Sequence, residues 1–360
     1  MKTTTNLMTA SNEWASRPAD QRFETLAALR ERVHSRRVCS RAFDIEVSAI
    51  HVEPDGETGI RINSAITECR PSHWAFGQLA GAAGAPGSYL RKLPNHLAVQ
   101  NLRHGLSTVS GEQKFMVLGN RDGGPGTLQA VTSTQYGRIW DADVVDAVGR
   151  IVDRTGGRFY NPKAYAPDGT IKPSGLYASD RDVFMFMIDG GSRLDAGPRA
   201  KLNRGFIAWN SETGARVMGL QTFLFNEVCG NHIVWGAQDI RTFKLRHSSG
   251  APGRFDSEVL PELASYVERS AKVEETVIKR AIEAALPTER EELLKLASRF
   301  DITRGELADA ERFAKTEEGQ FATYWDLVQG LTASARSYEW VDTRLDIERR
   351  AGAILRKFEN

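Results

Sequence analysis

The chain has 360 residues, 41% hydrophobic and 26% charged, and its 47 Lys and Arg against 46 Asp and Glu leave a formal net charge of +1. Such a composition belongs to a globular protein with a sizeable core, and it excludes the general basic coat that grips duplex DNA indiscriminately, though not a local basic groove. Cys39, Cys69 and Cys229 are odd in number and widely spaced, which excludes a disulfide framework and a Cys-x-x-Cys metal site.

No apolar run, Phe184 to Ile188 included, approaches the roughly 20 residues of a membrane-spanning helix, and the start MKTTTNLMTASNEW has no signal-peptide stretch. A cytoplasmic protein with no membrane partner is expected. The first element is an amphipathic docking helix in DQRFETLAALRERVHSRR, opened by Asp20 and Arg22, with Phe23, Leu26, Leu29 and Val33 at helical spacing and a basic end that suits the helix dipole. FDIEVSAIHVEP and TGIRINSAITEC alternate around Pro54-Asp55-Gly56 and predict a β-hairpin. PSHWAFGQLAGAAG and PGSYLRKLPNHLAVQNLRHGLS predict helices capped by Ser72 and Ser88. KFMVLGN and LQAVTSTQYGRI predict strands joined by RDGGPGT, a turn that lacks the spacing of a phosphate loop and reads as part of a hairpin. A helix follows from Asp141, and SGLYASDRDVFMFMID and RGFIAWNSE extend the sheet.

After Gly253 the composition turns helical. Val259, Leu263, Tyr266 or Val267, Val273, Val277 and Ala281 form one stripe, and three further helical segments run toward the end. The expected fold is α+β: an antiparallel β-sheet core with packed helices over residues 1–254, then a helical region 255–360 that packs on the core or serves self-assembly.

The densest stretch, RGFIAWNSETGARVMGLQTFLFNEVCGNHIVWG, spans Arg204 to Gly236. Its Asn210-Ser211-Glu212 triplet supplies an amide, a hydroxyl and a carboxylate, and the structural reading makes Asn210 or Ser211 the cap of a helix in ETGARVMGLQTFLF. Cys229 sits among apolar residues as a buried small hydrophobe would. A hydrolase or nuclease alternative joins Glu212 and Cys229 to Asn231 and to His232 or His247 as base. A metal set of Glu212, Glu227, His232 and His247 lacks any ligand spacing, and PDGTIK carries Thr170 where a restriction-type nuclease needs an acid. No catalytic residue, metal or cofactor is therefore assigned.

Basic and aromatic residues point elsewhere. DIRTFKLRHSSG places Thr242, Lys244 and Arg246 on one face of an extended run, and Lys201, Arg204 and Arg216 flank the triplet. Proteins that bind single strands combine phosphate-pairing cations with aromatic stacking platforms. The expected phosphate contacts are Arg138, Lys201, Arg204, Lys244 and Arg246, with Tyr136 stacking on a base, Trp209 or Trp235 as further platforms, and Asn210 and Ser211 bonding to the backbone.

EWASRPADQRF, WAFGQLAGAAGAPGSYLRKLP, VTSTQYGRIWDADVV, the NSETGARVMGLQTFLFNEVCGNHIVWG stretch and YWDLVQGLTASA together resemble the DUF932 proteins, a domain of unknown function carried by prophages, plasmids and other mobile elements. The resemblance covers most of the chain. It implies a setting of replication, recombination or conflict between mobile elements and hosts, where single-stranded DNA is abundant, and it brings no catalytic residue because the family offers no established activity. A sheet with helices on one side and a basic groove is also similar to phage annealing proteins. The expected function is single-stranded nucleic-acid binding, with annealing or recombination as its use, in a homo-oligomer. A non-enzymatic oligomeric interaction module is the other alternative.

Overall fold

The computed structural model describes residues 19–359 apart from 57–58, 66, 120–123, 162, 166–170, 174, 196–200, 227–231, 234–242, 270–271, 318, 336 and 338–340. Strand β1 is the pair Arg22–Phe23, and helix α1 spans Leu26–Cys39. Thr25 caps α1, its hydroxyl accepting the Ala28 N–H at 3.1 Å, so the helix starts later than its apolar spacing predicts. Phe23 serves as a strand instead, pairing with Leu176.

Six strands follow: β2 (Ser40–Glu46), β3 (His51–Asp55), β4 (Gly59–Asn63), β5 (Glu68–Pro71), β6 (Glu112–Leu118) and β7 (Gly126–Ser133). They form one mixed sheet in the order β2-β6-β7-β5-β4-β3, antiparallel except where β5 runs parallel to β7. Helix α2 (His73–Ala82) lies between β5 and β6 in the chain and is capped by Ser72, which accepts the Ala75 N–H at 3.1 Å. The single helix expected after Pro86 is two pieces, one turn at Gly87–Leu90 and α3 (Asn95–Ser107). Pro94 disfavours helical geometry at Leu93 and starts the second piece. Helices α2 and α3 cover one face of the sheet around Val52, Ile62, Leu79, Leu102, Phe115 and Leu128.

Helix α4 (Asp141–Arg154) leads into a second sheet built from β8 (Phe159–Tyr160), the small hairpin β9 (Lys163–Tyr165) and β10 (Ile171–Pro173) being separate from it. Its other strands are β1, β11 (Leu176–Ala178), β12 (Val183–Asp195), β13 (Lys201–Asn210), β14 (Met218–Asn226), β15 (His232–Ile233) and β16 (Phe243–Leu245). All are antiparallel, with β12, β13 and β14 as a long meander. The expected helix in ETGARVMGLQTFLF is thus a strand, in register with β13 from Leu202↔Asn226 to Trp209↔Gly219. Both faces of β14 are buried, so its apolar residues show no alternation from which a period could be read.

One face of the meander, through Met185, Met187, Phe206 and Leu220, packs against α1 and α4. The other holds Phe184, Phe186, Ile207, Trp209 and Phe223, with the Phe186 and Phe223 rings 4.4 Å apart. A helical run from Ala251 through α5 (Leu260–Glu268) puts Phe255, Val259, Leu263 and Tyr266 into the first of these cores. The expected stripe stops there: Arg269 is extended at ψ 154, and Val273, which the stripe included, is exposed. Helices α6 (Lys272–Glu283), α7 (Arg290–Arg299), α8 (Arg304–Glu317), α9 (Tyr324–Ala335) and α10 (Val341–Arg356) enclose their own core around Trp325. Leu194, Leu202 and Leu224 carry the far ends of β12, β13 and β14 into it. The change of packing therefore falls after Glu268 and not at Phe255. The architecture is α+β, and among the described residues no helix is long and apolar enough to cross a membrane.

Gly219 lies flat under the Trp209 ring, where a Cβ would collide with the indole. Gly219→Ala is expected to cost about 1–3 kcal/mol by overpacking, read as a lower urea midpoint. An unchanged midpoint would mean that the indole can move aside.

Candidate functional site

The triplet forms the hairpin turn between β13 and β14, closed by Gly214 in the left-handed region at φ +82. Its backbone is held by side chains from the other sheet. The Ser211 carbonyl accepts the Tyr136 hydroxyl at 2.9 Å, the Glu212 carbonyl accepts Arg138 Nη1, and the Thr213 carbonyl accepts the Trp74 indole N–H at 3.1 Å and the Gln78 amide at 2.9 Å. The Ser211 and Thr213 hydroxyls both donate to the Arg181 carbonyl, at 2.6 and 3.1 Å. Asn210 donates to the Ile139 carbonyl at 2.9 Å and to Asp141 at 2.8 Å.

Glu212 is 2% exposed. Its carboxylate lies 3.0 Å from Arg36 Nε and accepts the Asp141 N–H at 3.1 Å, at the positive amino end of α4. The rest of the Arg36 guanidinium donates to the carbonyls of Ser179 and Asp180 and to Gln129. Burial, and then the adjacent Glu212 carboxylate, push the Asp141 carboxyl well above the usual carboxylate range. The ring of Tyr136 stacks on His247 at 4.9 Å, and burial raises its phenol. Burial, aided by the Arg138 charge, pulls the His247 imidazole down to about 4 although its Nδ1 bonds to the Gly137 carbonyl at 3.2 Å.

Above this network opens a cleft of about 370 Å³, lined among others by Asp44, Lys114, Tyr136, Arg138 and Trp140. Arg138 is 8% exposed, and burial lowers the pKa of its guanidinium. Nη1 is engaged by the Met116 sulfur at 3.2 Å and by the Glu212 carbonyl, whereas Nε and Nη2 have no hydrogen-bond partner among the described residues. Lys114 Nζ donates to the Thr134 carbonyl at 3.1 Å and stands 3.9 Å from Asp44. Half-buried Trp140 carries the Arg37 guanidinium 3.9 Å from its ring centroid. A second cleft of about 500 Å³ beside the end of α1 is lined by Arg32, Arg36, Gln129 and Asp180.

Of the residues picked out by sequence, Tyr136 and Arg138 line the cleft. Lys244 and Arg246 are exposed, and Arg246 lies two residues before Ser248, which pairs with Tyr136. Asn210 and Ser211 are wholly buried and spend their side chains on the turn, so they are not offered to a nucleic-acid backbone. Arg204 is 2% exposed, 3.5 Å from Asp189, bonded to the Arg269 carbonyl at 2.8 Å and set against Tyr266, so it is an internal ion pair and not a phosphate contact. Trp209 is core and no platform. Lys201 begins β13, with its side chain outside the described residues, as are the side chain of His232 and all of Glu227, Cys229, Asn231, Trp235 and Arg241.

For the hydrolase alternative, no hydrogen bond joins Glu212 to His247 among the described residues, each being bound to other partners. Nor do the described residues contain a group of three or more His, Cys, Asp or Glu able to hold a metal ion. The sequence reading missed Arg37, Arg41, Lys114 and Trp140. For the two arginines the signal is the arginine-rich RERVHSRRVCSR, which reads as a complement to the helix dipole, whereas Lys114 and Trp140 stand in no such stretch. No family model matches the chain, and neither the curated proteins nor the solved structures contain a match.

Glu212→Gln strands the buried Arg36 charge and is expected to cost about 3–5 kcal/mol. Asp141→Asn, at a carboxyl already pushed toward its neutral form, should cost about 1 kcal/mol, near one hydrogen bond. Equal losses in urea unfolding would show that the two carboxylates share the role. His247 contributes to the pH profile with a definite sign: its folded pKa is depressed, so its stabilisation is present above pH 6.5 and is lost as pH falls toward about 4. The loss is about 3 kcal/mol, and His247→Phe, which keeps the ring stack, should flatten that part of a stability-against-pH curve.

Proposed function

We propose that this protein binds single-stranded nucleic acid in the cleft between the end of α1, strands β2 and β6, and the segment Tyr136–Trp140. The observation that carries the reading is Arg138: a buried guanidinium with two nitrogens unengaged, on a residue that lines a cleft together with Lys114 and Trp140. An unpaired buried cation costs several kcal/mol, and an anion entering the cleft relieves that cost. Exposed Arg246 extends the positive track outward, and the Trp140 edge gives a base an aromatic wall. The near-neutral net charge agrees with a local groove in place of a coat. The mobile-element setting implied by the resemblance to DUF932 proteins, with annealing or recombination as the use of such binding, belongs to the same proposal.

Fluorescence anisotropy with a labelled oligonucleotide tests it. Single strands should bind more tightly than duplex, with log affinity falling against log salt by about 0.7 per phosphate contact, hence about 2 in total for Lys114, Arg138 and Arg246. Replacing Lys114 and Arg246 by Ala should flatten the slope by about 1.4. A folded preparation that binds nothing at low salt, or a slope unmoved by the double substitution, overturns the proposal.

A further inference from the structure

The unengaged nitrogens of Arg138 are not any two. Nε and Nη2 form the side-on edge of a guanidinium, whose parallel N–H bonds match two oxygens of one phosphate, while Nη1 is held at the other end by Met116 and the Glu212 carbonyl. The fork is thus fixed in orientation before any ligand arrives. Arg138, 8% exposed, lines a cleft whose 370 Å³ lies near the bottom of the roughly 300–1,000 Å³ spanned by small-ligand pockets.

We infer that this cleft holds the phosphorylated end of a strand, one terminal nucleotide with its phosphomonoester on Arg138. The inference rests on the nucleic-acid reading of the same site. A phosphate inside a strand has a sugar on either side and follows the surface, so reaching a buried fork would drag both neighbours into a space of one nucleotide. A terminal phosphate enters from one side. It also carries about −1.5 to −2 charges at pH 7 against −1 for a diester, which suits the two cations that line the cleft, Arg138 and Lys114. Asp44, the acidic residue lining the cleft, is 44% exposed and stands 3.9 Å from Lys114. The base of that nucleotide lies against Trp140, the half-buried aromatic of the wall.

Full-length protein is titrated with one internally labelled oligonucleotide in three forms, 5′-phosphorylated, 3′-phosphorylated and with hydroxyl at both ends, and with a nucleoside monophosphate as competitor. One phosphorylated form should bind about tenfold more tightly than the hydroxyl form, the energy of a charge-assisted bond, and the two phosphorylated arms tell which end is held. The advantage should shrink below about pH 6, where the second phosphate proton returns. Arg138→Lys keeps the charge and loses the fork, so it should abolish the end preference. Because that change touches the Glu212 carbonyl, Lys114→Ala is the second variant, expected to reduce the preference in a folded protein. Equal affinity for all three forms overturns the inference and leaves strand binding standing. A monophosphate that binds while no oligonucleotide does supports the pocket and overturns the strand-binding reading. An end preference that survives both substitutions overturns the assignment to this cleft.

Discussion

One buried carboxylate sets the geometry of the amino-terminal two thirds of this protein. Glu212 forms an ion pair with Arg36 at the end of α1 and accepts the first amide of α4, while its own carbonyl is held by Arg138. Three pieces of chain that share no local sequence relation are thereby fixed on one turn. A carboxylate so deep is tolerated because both oxygens are engaged and because a positive side chain and a helix amino terminus face it together. The flanking carbonyls of Ser211 and Thr213, gripped by Tyr136, Trp74 and Gln78, make the same turn the junction of the two sheets. The cleft above it has a rigid floor as a result.

The arginines divide by what their counter-charge is. Arg36 has Glu212 and Arg204 has Asp189, so both are internal fasteners whose charge does not reach the surface. Arg138 shares the burial and lacks a carboxylate partner of its own, bonding instead to a sulfur and a neutral carbonyl. Burial lowers the pKa of the Arg138 guanidinium, while Tyr136, Glu212 and Asp141 nearby act to raise it. Local balance, not net charge, separates the structural cations from the one available to a ligand.

Much of the architecture is legible in the sequence because its causes are local. Ser72 is a cap that its neighbours announce, Gly56 opens the turn between the paired strands β3 and β4, and α4 follows from spacing alone. The failures share one cause, a partner far along the chain. Phe23 reads as the start of a helix face until β11 claims it, and β14 reads as a helix because burial on both faces erases its alternation. At the site, Tyr136 and Arg138 were legible as an aromatic beside a cation. Arg204 and Asn210 looked equally eligible, since neither Asp189 nor Asp141 is visible as their partner without the fold. Lys114 and Trp140 passed unnoticed because each is a single residue on an ordinary strand or helix start.

The register of β1 on β11, together with Arg36 on Glu212, fixes an order of events as the chain is made. Strands β2 to β7 with α2 and α3 enclose a core of their own, and every residue in it has emerged by Val131. Helix α1 precedes them all and has its apolar side, Leu29 and Val33, committed to a core that needs α4 and the meander. At about 5–20 residues per second the ribosome delivers Glu212 some 10 s or more after Arg36. For that interval an arginine-rich amphipathic helix has neither its carboxylate nor its apolar cover.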